Sequence, residues 1–212
     1  MLLYYITDRR AFGGTEAAHR TALLRRIAEA ARAGVDYIQL REKDLASRDL
    51  ECLAREAVRA VRDNSATTKL LINSRTDIAL ACHVDGVHLA SNEPAASEIR
   101  ALWMKCSDRE PIIGVSVHSL ADVQRAKSQG AGFAVLAPIF EKIQTGAKGI
   151  GLDALREACS AAASGGFVIL ALGGVNLANA RDCLQAGADG VAGIRLFQSG
   201  DLGETVKRLR QL

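Results

Sequence analysis

Proline is scarce in this chain. Three prolines stand against nineteen glycines in 212 residues, which argues for tight turns and close backbone approaches and against a Pro-rich linker. Charge of one sign is lacking too. Twenty-seven Lys and Arg against 24 Asp and Glu leave a net charge of +3 and a pI near 8.7, too small and too evenly spread for nucleic acid. Continuous apolar runs do not exceed six residues, as in Phe167–Leu172, far short of the roughly 20 that span a membrane. The N-terminus has no basic segment followed by a long apolar stretch, so no signal peptide is expected. The cysteines, at 52, 82, 106, 159 and 183, are odd in number and form no C-x-x-C pair. They read as reduced thiols packed as small hydrophobes in a cytoplasmic protein, without a metal site. Neither a Walker loop nor G-x-G-x-x-G occurs, which argues against a nucleoside triphosphate or a dinucleotide.

What is present is a globular composition, 49 % hydrophobic and 24 % charged, that fits one domain over residues 1–212. Short apolar runs alternate with longer amphipathic ones. Strands are expected at 2–7, 36–42, 69–74, 86–90, 112–117, 132–140, 168–174 and 190–195. Helices are expected at 15–33, 47–63, 76–82, 95–106, 119–129, 152–163, 176–186 and 203–211, with Ser119 and Asn176 as N-caps. Four strands follow a small or polar helix end, as in Ala33-Gly34-Val35-Asp36 and Ala186-Gly187-Ala188-Asp189, where the glycines suit left-handed C-caps. Eight strand–helix units in this length predict a single-domain (β/α)₈ TIM barrel; a doubly wound open sheet, which normally has fewer strands, is the alternative.

In such a barrel the active site lies at the C-terminal ends of the strands, and side chains alternate between lumen and helix layer. In strand two, Ile38 and Leu40 share the apolar parity, which turns Tyr37, Gln39, Arg41 and Lys43 to the lumen. Two cations close together at the mouth call for an anion, unless Glu42 or Asp44 neutralises them locally. In strand five Gly114, Ser116 and His118 share a face. His118 comes last, and the small residues beneath it leave room for a ligand. The plainer account of His118 is a histidine satisfied by backbone at a loop start. His19, His83 and His88 are assigned to structure or solvent. Gly173-Gly174 after strand seven and Gly193-Ile194-Arg195 after strand eight stand where this fold often binds phosphate.

Tyr5-Ile6-Thr7-Asp8, Gln39-Leu40-Arg41-Glu42-Lys43, Leu71-Ile72-Asn73, Asp85-Gly86-Val87-His88-Leu89, Gly114-Val115-Ser116-Val117-His118-Ser119 and Leu172-Gly173-Gly174-Val175 together resemble the thiamin-phosphate synthase/TenI superfamily, in order from residue 4 to about 197. The resemblance implies a barrel that handles a thiazole phosphate. The synthase joins hydroxymethylpyrimidine diphosphate to thiazole phosphate, with magnesium, and releases diphosphate. The TenI branch is a thiazole tautomerase, which needs a single proton-transferring group; the histidine carried over is His118.

The resemblance divides on detail. Where the synthase has an aspartate after the strand-three asparagine, this chain has Ser74; Glu93 is the acidic metal ligand it offers after strand four. The diphosphate clamp after strand six is replaced by Pro138-Ile139-Phe140-Glu141-Lys142-Ile143-Gln144-Thr145, with an acid where hydroxyls should begin. Arg41 and Lys43 match the synthase's diphosphate contacts. On these residues the tautomerase, needing no cofactor, is placed first. The magnesium-dependent synthase comes second, and a non-catalytic paralogue holding thiamin phosphate third. The expected site comprises His118 as acid/base, Gln39, Arg41, Lys43, Asn73, Ser116, Gly173, Gly174, Gly193, Ile194 and Arg195 for substrate and phosphate, and Glu93 for metal in the synthase alone. The partner is a small phosphorylated thiazole or thiamin phosphate; self-association, a lid over 141–150 and the role of Arg195 stay open.

Overall fold

A computed structural model describes residues 1–141, 148–163 and 165–212. Its strands β1 (Leu2–Ile6), β2 (Tyr37–Leu40), β3 (Lys69–Asn73), β4 (Gly86–Leu89), β5 (Ile112–Val117), β6 (Phe133–Leu136), β7 (Val168–Ala171) and β8 (Gly190–Gly193) pair in parallel and in chain order, and β8 closes on β1. The expected (β/α)₈ barrel is therefore the observed one. The helices that follow β1 to β7 are α1 (Glu16–Arg32), α2 (Ser47–Arg62), α3 (Thr76–Ala81), α4 (Ala96–Cys106), α5 (Leu120–Ser128), α6 (Gly151–Ala162) and α7 (Ala180–Gln185). After β8 come a single turn, α8 (Arg195–Gln198), and α9 (Leu202–Arg210); a 3-10 turn over Arg9–Ala11 follows β1. Neither of those short turns carries enough periodicity to be read from sequence.

Alternation along the strands makes two cores. One lies between strands and helices, where Ile38, Leu40, Ile72, Val87 and Val191 meet the α1 face Leu23, Ile27, Ala30 and Ala31 and the α2 face Leu50, Leu53, Ala54, Ala57, Val58 and Val61. The other fills the lumen with Tyr4, Ile6, Leu71, Phe133, Val135, Leu170 and Ala192. Tyr37 and Phe133 open their strands, so their rings lie at the N-terminal end of the barrel. They stack with centroids 5.3 Å apart, and Tyr4 meets Phe133 edge-on at 5.4 Å.

The repeated junction before the strands has a second purpose besides capping. Gly34, Gly130 and Gly187 do take left-handed φ after their helices, but in the His83–Val87 junction it is His83 that does so, at φ 53°. Asp36, Asp85 and Asp189 each accept, through Oδ2, the backbone N–H of a neighbouring strand: Leu3 at 2.7 Å, Leu70 at 2.9 Å and Ile169 at 2.8 Å. These carboxylates tie adjacent strands at the floor. Ser119 caps α5 as expected, its Oγ accepting from the Asp122 N–H at 3.2 Å. Asn176 does not cap α7. It forms a turn of its own, its Oδ1 accepting from the Ala178 N–H, and the helix starts only after Asn179. The thiols also depart from expectation: Cys82 and Cys183 are buried, but Cys52 and Cys106 are exposed. Among the described residues no helix is long and apolar enough to cross a membrane.

Candidate active site

Strand β2 delivers Gln39 buried in the lumen, Arg41 half-buried above it and Lys43 exposed at the mouth. Local neutralisation by Glu42 or Asp44, one of the two readings open from sequence, does not occur. Neighbouring residues on an extended segment point to opposite faces, so the buried Glu42 turns away from Arg41. Its carboxylate accepts from the Thr7 hydroxyl at 2.6 Å, the Arg9 backbone N–H at 3.0 Å and the Arg9 guanidinium at 3.2 Å. Asp44 takes the same guanidinium in a fork, at 2.7 and 2.9 Å. The fork holds the Asp44 carboxyl down at about 2. Burial pushes the Glu42 carboxyl up, and its bonds to Thr7 and Arg9 draw it back. Arg9, only 3 % exposed, thus absorbs both acids beside the cations. Arg41 and Lys43 are left without a carboxylate among the described residues. Sequence reasoning missed Arg9 and Thr7 because their partners lie more than thirty residues away.

Strand β5 is read differently once packed. A Cβ on Gly114 would stand 2.3 Å from the Phe133 ring, so this glycine makes room for a floor residue and not for a ligand. Ser116 is half-buried above it, its Oγ 2.9 Å from His88 Nε2. His118 is exposed at the rim. Its Nδ1 donates to the Ala137 carbonyl at 2.8 Å and its backbone N–H donates to Asp122 at 3.1 Å. The carbonyl can only accept, so the Nδ1 proton is fixed and a neutral His118 carries its lone pair on Nε2. The backbone contact and a free basic nitrogen coexist.

His88 is structural, as assigned from sequence, and it is also the residue beneath Ser116. It is 3 % exposed in the lumen, with Nδ1 3.1 Å from the Tyr4 hydroxyl, which also accepts from Gln39 Nε2 at 2.8 Å. Burial, reinforced by the Arg41 charge, holds the imidazole neutral down to about 3. The alternation Val87, His88, Leu89 carried this signal.

Across the mouth, Gly173 and Gly174 have φ of 96° and 69°. A Cβ on either would lie 2.7 Å from Pro138 or Phe140, so the turn needs glycine to lie against the segment after β6. The N–H groups of Gly173, Gly174 and Val175, and of Ile194, Arg195 and Leu196, find no acceptor among the described residues. Gly193 ends β8 beneath them. Ile194 packs on the lumen core, whereas Arg195 is exposed and does not fill the lumen. Two anion-seeking regions therefore share the mouth on separate strands: side-chain cations on β2, and bare backbone donors after β7 and β8, with β1 lying between β2 and β8.

At the top of β3, Asn73 Nδ2 donates to Ser74 Oγ at 2.8 Å, and Ser74 stands at a left-handed φ of 67°. Glu93, after β4, accepts the Ala90 N–H on Oε2 at 2.6 Å, leaving Oε1 without a partner among the described residues. Among the described residues no three His, Cys, Asp or Glu cluster as a metal cage. One carboxylate does suit a magnesium ion whose other ligands come from substrate phosphates and water. Lys142–Thr145, the positions compared with the clamp, and most of the suggested lid lie outside the described residues.

Comparison with known proteins decides the family. The model of the thiamine monophosphate synthase family matches residues 3–197. The chain belongs to that family. With membership comes the standing of an enzyme, within thiamine biosynthesis. A putative thiamine-phosphate synthase 2 of Aquifex aeolicus is 37 % identical over 196 residues, 92 % of this chain and 96 % of the relative. A thiamine-phosphate synthase of Methanoculleus marisnigri is 37 % identical over 214 residues, 98 % and 93 % of the two chains. The solved structure of a thiamine phosphate pyrophosphorylase from Pyrococcus furiosus superposes with a TM-score of 0.80 at 28 % identity, over 99 % of this chain and 94 % of that one.

Proposed function

We propose that this family member is a thiamine-phosphate synthase, which reverses the order in which the two activities stand on sequence motifs alone. The carrying observation is the pair of separate anion-seeking regions on β2 and after β7 and β8. A tautomerase acting on one thiazole phosphate needs one phosphate grip. A synthase needs two, and among the described residues Arg41 and Lys43 are kept free of carboxylates while a separate set of backbone N–H groups lies open after β7 and β8. The names of the similar proteins support the same reading.

In the reaction the C–O bond between the pyrimidine methylene and the diphosphate breaks, and the diphosphate leaves with the electron pair. The thiazole nitrogen supplies the pair for the new C–N bond. Arg41 and Lys43 stabilise charge on the departing diphosphate. The Gly173–Gly174 turn and the Gly193–Ile194 segment hold the thiazole phosphate, and Arg195 faces it from solvent. Gln39, Asn73 and Ser116 line the lumen between the two anions. Glu93 would hold magnesium, which when bound adds positive charge beside the diphosphate oxygens.

A second reading rests on His118. Its fixed Nδ1 proton and free Nε2 suit proton transfer at carbon, and Ser74 removes a carboxylate from the metal side. The test supplies hydroxymethylpyrimidine diphosphate, thiazole phosphate and magnesium, and measures thiamin phosphate and diphosphate. The synthase reading expects both in equal amounts. Tautomer conversion of a thiazole carboxylate phosphate, abolished in His118→Asn and without any coupling, would replace it.

A further inference from the structure

We propose that Tyr4 and His88 are positioning residues that set the direction of the Ser116 hydroxyl, so that its proton is presented to a bound anion. The inference rests on the reading of the mouth as an anion site and adds to it a buried polar line running across the lumen from β2 to β5.

The line has four members. Gln39 Nε2 donates to the Tyr4 hydroxyl oxygen at 2.8 Å; Tyr4 is 3.1 Å from His88 Nδ1; His88 Nε2 is 2.9 Å from Ser116 Oγ. Gln39, Tyr4 and His88 are 1 %, 0 % and 3 % exposed, so water cannot supply substitute partners. Each step then dictates the next. Tyr4 keeps its proton, because burial pushes its ionisation well above the ordinary phenol range. Its oxygen already accepts from Gln39, so its proton goes to the one other partner, His88 Nδ1. Neutral imidazole carries a single proton, which must then be on Nε2 and point at Ser116 Oγ. Ser116 thereby accepts from below, and its own O–H is left to donate upward. That is the polarity an anionic oxygen requires. The opposite polarity, with Ser116 donating down into His88, would turn an oxygen lone pair toward the ligand and repel it. Arg41 adds to the selection, since its charge disfavours a second proton on His88.

The relay is tested first without any ligand. Nitrogen-15 NMR of the wild-type protein should show His88 neutral with Nε2 protonated and Nδ1 bare from pH 5 to 8. A proton on Nδ1, or titration in that range, overturns the proposal whatever reaction the enzyme catalyses. The second measurement is calorimetric affinity for inorganic diphosphate. His88→Leu should weaken it about tenfold, the scale of one charge-assisted hydrogen bond. His88→Gln, which can place an amide donor where Nε2 stood, should restore most of that loss. In a Ser116→Ala background His88→Leu should have no further effect. An equal tenfold loss in that background would show that His88 acts through general structure and not through the serine. Arg41→Ala reports on the anion site separately: if it leaves diphosphate affinity unchanged, the mouth reading fails even where the tautomer is as stated.

Discussion

The floor and the mouth of the barrel are built by the same strands, a few residues apart, and obey opposite rules. At the floor, Tyr37, Phe133, Tyr4, Leu71 and Leu170 fill all the space, down to a glycine at 114 whose missing Cβ is occupied by the Phe133 ring. At the mouth, donors are left unpaired. Arg41, Lys43 and six backbone N–H groups have no counterpart among the described residues, while Glu42 and Asp44, the acids next to the two cations in the chain, are bound to Arg9. The floor stores stability in apolar contact. The mouth leaves polar groups unpaired, which on the proposed function an arriving anion would satisfy. The layer between them, from Gln39 through Tyr4 and His88 to Ser116, is polar and hydrogen-bonded from one member to the next, which offsets much of the cost of burying it.

The contrast can be broken from either side. The largest effect belongs to the floor: Phe133→Ala should cost about 3–5 kcal/mol of stability, read as a shifted urea midpoint, because it leaves a void between Tyr4, Tyr37 and Gly114. Gly114→Ala should cost about 1–3 kcal/mol by overpacking the same ring, and Phe133→Leu in the same chain should recover part of it. At the mouth the pattern inverts. Arg41→Ala should leave the urea midpoint within about 0.5 kcal/mol yet reduce diphosphate affinity roughly 10- to 100-fold. The smallest effect is electrostatic. The Asp44 carboxyl is depressed in the folded state, so its contribution is complete above the ordinary carboxylate range and is lost as pH falls from about 4 towards 2. Asp44→Asn should flatten stability over that window, and an unchanged slope would show that the Arg9 fork is not formed in solution.

What could be read from sequence follows from how local the cause is. The parity of β2 and β5 is a property of consecutive residues, and it suffices to turn Gln39, Arg41, Ser116 and His118 to the lumen side. His88 carries the same signal in Val87-His88-Leu89, but its bond to Ser116 depends on the register of β4 against β5 and is not visible in the strand itself. The partners of Glu42 were illegible because charge pairing was inferred from adjacency, while extended backbone sends neighbours to opposite faces and brings Arg9 across from β1. Asn176 and Asn179 are equally good caps by composition; which one starts the helix depends on the turn that Asn176 makes after the Gly173–Gly174 approach to Pro138 and Phe140. The vacant N–H groups after β7 and β8 could be anticipated only from the fold, because Gly-Gly alone signals a turn.

The central claim is that the mouth holds two anions at once. Calorimetric titration of thiazole phosphate into the protein, with and without saturating inorganic diphosphate and magnesium, tests it most directly. The account predicts that both bind together, that Arg41→Ala weakens only the diphosphate, and that Gly174→Ala weakens only the thiazole phosphate. Mutual displacement of the two ligands, with each variant weakening both, would contradict it.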